Sequence, residues 1–129
     1  MSVATILAVD PGNQKCGVAV VAEDYSVLEK LVISTPELIT AVASLVQTYQ
    51  VAMIVVGDRT NCGAICQVLA ALELPIARVD EDRSSMEGRY RFLKENTRGL
   101  ARLIPIGLRT PNRPYDDYVA VILAERFWQ

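Results

Sequence analysis

Residues 3–23 read VATILAVDPGNQKCGVAVVAE, and this stretch decides the fold. An apolar, partly β-branched run ends on an acid at Asp10. Pro11 and Gly12, then polar residues, lead to Gly17 and a second apolar run. The pattern predicts a strand over 3–10, a tight turn and an antiparallel return over 17–22. A buried strand has no structural need for a carboxylate at its end, so Asp10 opens the functional argument.

Working outward, 23–26 is a polar turn into a third strand over 27–33. Ser34 or Thr35 caps a helix with Pro36 in its first turn. Leu38, Val42, Leu45, Val46 and Tyr49 repeat at helical spacing. The near-continuous apolar run VAMIVVG, 51–57, reads as a central strand buried on both faces. A loop over 58–61 leads to a helix over about 62–72. A short strand over 76–79 then ends on Asp80, Glu81 and Asp82. Ser84 or Ser85 is expected to cap a helix to about residue 96. Residues 97–113 form an irregular connection, and 115–128 a last helix packed through Val119, Ile122, Leu123 and Phe127. Antiparallel strands followed by parallel crossovers predict one α/β domain over 1–129, a mixed sheet with helices on both faces.

The chain has 129 residues, half of them hydrophobic, and a formal charge of −2. That total hides an asymmetry. Residues 1–65 hold three bases against six acids, whereas 83–113 hold eight bases against two acids. A basic segment of this kind binds polyanions even in an acidic chain. Three cysteines, an odd number, fit reduced thiols and a cytoplasmic location. No apolar run reaches the length of a membrane span, so no membrane partner is expected. The chain has no histidine. This excludes Ser-His-Asp and Cys-His catalysis and leaves carboxylates with a metal ion as the tools for hydrolysis.

The acids fall at element ends: Asp10, the 80–82 cluster, and Asp116-Asp117 at the start of the last helix. If the first strand runs parallel to the crossover strands, Asp10 and Glu81 emerge at one sheet edge, where α/β sheets collect ligands. Converging carboxylates call for a hard cation, Mg²⁺ or Mn²⁺, with two ions suited to phosphodiester hydrolysis. Each acid also has a plain structural reading as a turn former or helix-dipole partner.

At these residues the chain resembles the YqgF/RuvX family, relatives of the RuvC Holliday junction resolvases in the RNase H-like superfamily. The family's Asp-x-Gly and Gly-Val-Ala-Val correspond to Asp10, Gly12, Gly17, Val18, Ala19 and Val20. Residues 53–57 are similar to its central strand. Residues 79–89 resemble its Asp-Glu-Arg block through Asp80, Glu81, Ser84, Ser85, Glu87 and Arg89. DDYVAVILAERF, 116–127, resembles its final helix. Asp116 takes the family register, while Asp117 fits the spacing of the resolvases. The chain differs at Asp82, where the family has arginine, and in the 57–65 loop.

The resemblance implies an RNase H-like five-stranded sheet, order 3-2-1-4-5 with strand 2 antiparallel. It also implies a metal-dependent nuclease acting on structured nucleic acid, as in precursor ribosomal RNA end processing or cleavage of branched DNA. By carry-over, Asp10, Glu81, and Asp116 or Asp117 are the expected catalytic metal ligands. Lys15, Arg83, Arg89, Arg98, Arg102, Arg109 and Arg113 are the expected phosphate contacts. A catalytically inactive binder, acting through 83–113, is the alternative. Asp-x-Gly before a hairpin is also similar to the phosphate loop of actin-like ATPases, which would make the chain a nucleotide binder. A monomer or a homodimer fits equally.

Overall fold

The computed structural model describes residues 3–59 and 61–129. Thr60, in the expected 58–61 loop, lies outside them. Strands β1 (Thr5–Asp10), β2 (Lys15–Ala22) and β3 (Val27–Ser34) form the expected antiparallel meander. Helix α1 (Leu38–Tyr49), strand β4 (Met53–Gly57), helix α2 (Cys62–Leu69), strand β5 (Ile76–Val79), and helices α3 (Ser84–Asn96) and α4 (Asp116–Trp128) follow. The sheet order is β3-β2-β1-β4-β5, with β4 parallel to β1 and β5 parallel to β4. The expected fold class, with strand 2 antiparallel, is therefore present.

Alternation along β1 divides the core. Leu7 and Val9 join Val18, Val20, Ile54 and Val56 under Leu38 and Val42 of α1 and Ile65 and Leu69 of α2. Ile6 and Ala8 turn the other way, with Ala19, Val21 and Val55, against Ala120, Val121, Leu123 and Ala124 of α4. Small residues on this second face let α4 lie close to the sheet. The closest approach is at Gly17, where a methyl group would coincide with the backbone carbonyl of Asp116. Only glycine fits there, because a Cβ would meet rigid main chain.

Several local expectations are corrected. Neither Ser84 nor Ser85 caps α3. The capping position is Arg83, with φ of 62°, and Ser84 is the first helical residue, its hydroxyl buried without a hydrogen-bond partner. Ser34 precedes a 3-10 turn (Thr35–Glu37) and makes no side-chain cap. The α2 region tightens to a 3-10 turn at Ala70–Leu72. The 97–113 connection holds two 3-10 segments, Gly99–Leu103 and Ile106–Leu108. Finally, α4 has no single packed face. Eight consecutive residues from Asp117 to Ala124 are buried, because α3 covers the side turned away from the sheet. There Gly88 meets Val119, and Phe92 meets Tyr118 edge-on with ring centroids 5.3 Å apart.

Candidate active site

Because β1, β4 and β5 are parallel, their C-terminal ends share one edge. Asp10 ends β1, and Glu81 stands two residues beyond β5. Asp10 is opposite Gly17 in the β1–β2 register, and Gly17 carries the first turn of α4. Three separate pieces of chain are thereby brought together: Asp10, Glu81 and Asp116.

The Asp10 and Glu81 carboxyls lie close enough to act directly on each other. Glu81 is almost wholly buried, and its side chain crosses Gly57 so closely that a Cβ there would overlap it. Two adjacent carboxylates removed from water cannot both ionise cheaply. Burial first, then the hydrogen bond and charge of Glu81 and the charge of Asp116, push the Asp10 carboxyl up to about 8. The Arg59 charge opposes this rise. Asp116 is also raised, by burial and by Asp117, with Lys15 acting in the other direction. Lys15 is exposed at the start of β2.

The two candidate helix acids separate. Asp117 is buried and bonded to the Arg113 guanidinium at 3.3 Å and to the backbone N–H of Tyr118 at 3.0 Å. Asp116 is the one whose charge bears on Asp10. Asp82 is exposed, its N–H donating to the Asp80 carboxylate at 2.9 Å, and it is not among the groups that perturb Asp10.

The β4–α2 connection brackets the site, a role the sequence reading missed. The Arg59 N–H donates to Glu81 Oε2 at 2.9 Å, and the Arg59 guanidinium donates to the Glu81 carbonyl at 3.2 Å. The Asp58 carboxylate accepts the Glu81 N–H at 3.2 Å. Asn61 Nδ2 donates to the Gly12 carbonyl at 2.9 Å, beside the Thr35 hydroxyl at 3.0 Å. One loop thus fixes both the Glu81 carboxylate and the turn after Asp10. The only signal in the sequence was a polar DRTN run after a buried strand.

The expected phosphate contacts divide as well. Arg89 donates to the Arg109 carbonyl, Arg109 to the carbonyls of Ile104 and Arg102, and Arg113 to Asp117 and the Pro114 carbonyl. These three hold the chain's own loop. Arg83, Arg98 and Arg102 are exposed and enter no ion pair among the described residues.

Among the described residues, no three acidic or thiol side chains form a ready-made metal cage. Mg²⁺ does not need one, since it is commonly held by one or two carboxylates and completed by water and substrate phosphates. The Asp10–Glu81 pair, whose Asp10 feels the charge of Asp116, fits such an ion by charge and by donor chemistry. A concavity of about 1020 Å³ along α3, bordered by Met86, Tyr90 and Ile122, contains none of these acids.

In structure, the chain is similar to RuvC of Thermus thermophilus, with a TM-score of 0.55 and 19% identity over 93% of this chain and 90% of that one. The fold is RNase H-like. Partial similarity extends to a sugar kinase described as putative from Cytophaga hutchinsonii (TM-score 0.47, 12% identity, 67% of this chain and 39% of that chain). It also extends to a ROK family glucokinase from Streptomyces griseus (TM-score 0.45, 17% identity, 69% and 37%). No family model matches the chain, and no curated protein matches it in sequence. No helix among the described residues is long and apolar enough to cross a membrane.

Proposed function

We propose that this chain is a divalent-cation-dependent nuclease that hydrolyses phosphodiester bonds in structured nucleic acid, either branched DNA or folded RNA. The observation that carries the reading is the adjacent Asp10–Glu81 carboxyl pair, Glu81 buried and Asp10 half-buried, at the C-terminal edge of three parallel strands. A divalent cation held between the two acids would relieve the cost of bringing them together. Asp10 and Glu81 would hold Mg²⁺ or Mn²⁺, with Asp116 available to a second ion. Bound there, the cation supplies Lewis-acid polarisation of a phosphoryl oxygen and a water of lowered pKa.

The chain's own groups do the positioning. The Arg59 N–H fixes the Glu81 carboxylate, and Asn61 and Thr35 fix the turn that carries Asp10. Lys15 and the Arg59 guanidinium flank the acids and would attract a phosphate backbone. Arg83, Arg98 and Arg102 would extend that contact along the strand.

The test compares wild type with Asp10→Asn on a four-way DNA junction and on a precursor ribosomal RNA transcript, in Mg²⁺ or Mn²⁺. The expected result is cleavage of one substrate, abolished by chelator and reduced at least about 100-fold in the variant. Equal cleavage by both proteins would remove Asp10 from the mechanism. A non-catalytic binder is the second reading, favoured by the acid-free stretch over 96–115. It predicts salt-sensitive binding with no cleavage under any cation.

A further inference from the structure

We propose that the connection between α3 and α4 forms a binding pocket for a single unpaired nucleobase. The proposal rests on nucleic acid being the partner, as proposed above. Residues 96–115 contain four arginines and no acid. Part of that charge is spent on shape. Arg109 donates to the carbonyls of Ile104 at 2.8 Å and Arg102 at 2.9 Å, and Arg89 donates to the Arg109 carbonyl. Ile106 packs on Phe92, Leu93 and Tyr118. A loop clamped in this way presents a fixed surface.

Between this loop and the end of α3 lies a cavity of about 190 Å³. Phe92, Leu93 and Ala101 give it apolar walls, and Arg98, Thr110 and Asn112 give it polar groups. A base needs this combination, with apolar contact for its faces and hydrogen bonds for its edge. The same loop holds Leu100, Leu103 and Leu108 at 84%, 80% and 75% exposure. The outside of an intact duplex offers phosphates and polar groove edges, which leave leucines unmatched. Base faces exposed where stacking is interrupted match them. Arg98 and Arg102 then take the flanking phosphates. A second copy of the chain is a poorer occupant, because a two-fold contact would set two acid-free, arginine-bearing loops against each other.

The test measures binding by anisotropy to a perfect duplex and to the same duplex carrying one bulged 2-aminopurine. The wild-type protein should bind the bulged duplex about tenfold more tightly and change the 2-aminopurine emission. Ala101→Trp fills the cavity from an exposed position, and Asn112→Ala removes an edge contact. Both should lose the preference and the emission change while keeping the duplex affinity and the unfolding temperature. Equal wild-type affinity for the two duplexes, or a preference that survives Ala101→Trp, overturns the pocket and leaves the nuclease reading standing. If wild type binds neither duplex nor any folded RNA, the underlying reading falls and the pocket with it.

Discussion

Replacing Asp10 with asparagine should stabilise the cation-free protein, increasingly so as the pH rises. An acid whose folded-state pKa lies above its unfolded value holds its proton longer in the folded chain. Stability is therefore lost as pH climbs between the two values. For Asp10 the window runs from 3.8 to about 8. Each unit is worth about 1.4 kcal/mol, which sets a ceiling of about 6 kcal/mol above pH 8. Water reaches part of this carboxyl, so about 2–4 kcal/mol is the expected penalty.

Asparagine has nearly the same shape, cannot ionise, and can donate to Glu81. The unfolding temperatures of wild type and Asp10→Asn should nearly coincide at pH 4.5 in chelator. They should separate by roughly 10 °C in favour of the variant at pH 8.5. The assay is differential scanning calorimetry across that range. A gap that stays constant with pH, or a variant less stable at pH 8.5, would refute the claim that Asp10 and Glu81 form a desolvated carboxyl pair.

Gly17→Ala should lower stability by about 3 kcal/mol or more in denaturant titration, since its methyl group would meet the Asp116 main chain. Asp117→Asn should cost about 1–2 kcal/mol by leaving Arg113 unpaired beside Phe92 and Tyr118. Asp116→Asn should leave the cation-free protein no less stable at neutral pH, since its raised carboxyl costs stability there, and should weaken Mn²⁺ binding, so the two neighbours separate by assay. Arg59→Ala removes the guanidinium but keeps the N–H that holds Glu81. It should reduce salt-dependent affinity for nucleic acid and cost about 1 kcal/mol of stability for the lost bond to the Glu81 carbonyl. Neutralising Arg98 and Arg102 together should flatten the dependence of log affinity on log salt by about two.

The opening hairpin was legible because its chemistry is local. An apolar run broken by Asp-Pro-Gly reads as strand and turn whatever surrounds it, and the continuous MIVVG run announced a central strand. From these the parallel edge joining Asp10 and Glu81 followed. What stayed hidden depends on tertiary contact. Neighbouring residues on a helix point about 100° apart, so spacing alone could not choose between Asp116 and Asp117. The close seating of α4 on Gly17 directs Asp116 toward Asp10. Helix α4 read as amphipathic, yet it is packed on both sides, because α3 covers what would otherwise be its outer face. Arg59 gave no signal because its contacts with Glu81 use its own backbone N–H and, from the guanidinium, the Glu81 backbone carbonyl, groups that composition does not reveal. Arg89, Arg109 and Arg113 looked like free charge because their acceptors are mostly carbonyls, which composition does not reveal.

Binding of Mn²⁺ at the Asp10–Glu81 pair tests the account most directly. Titration followed by electron paramagnetic resonance near pH 8 should show saturable binding to wild type, with loss of the free-ion signal. It should show none, or binding at least about tenfold weaker, to Asp10→Asn and Glu81→Gln. Equal binding by all three proteins, or none by wild type even with nucleic acid present, would contradict the assignment of this pair as the cation site.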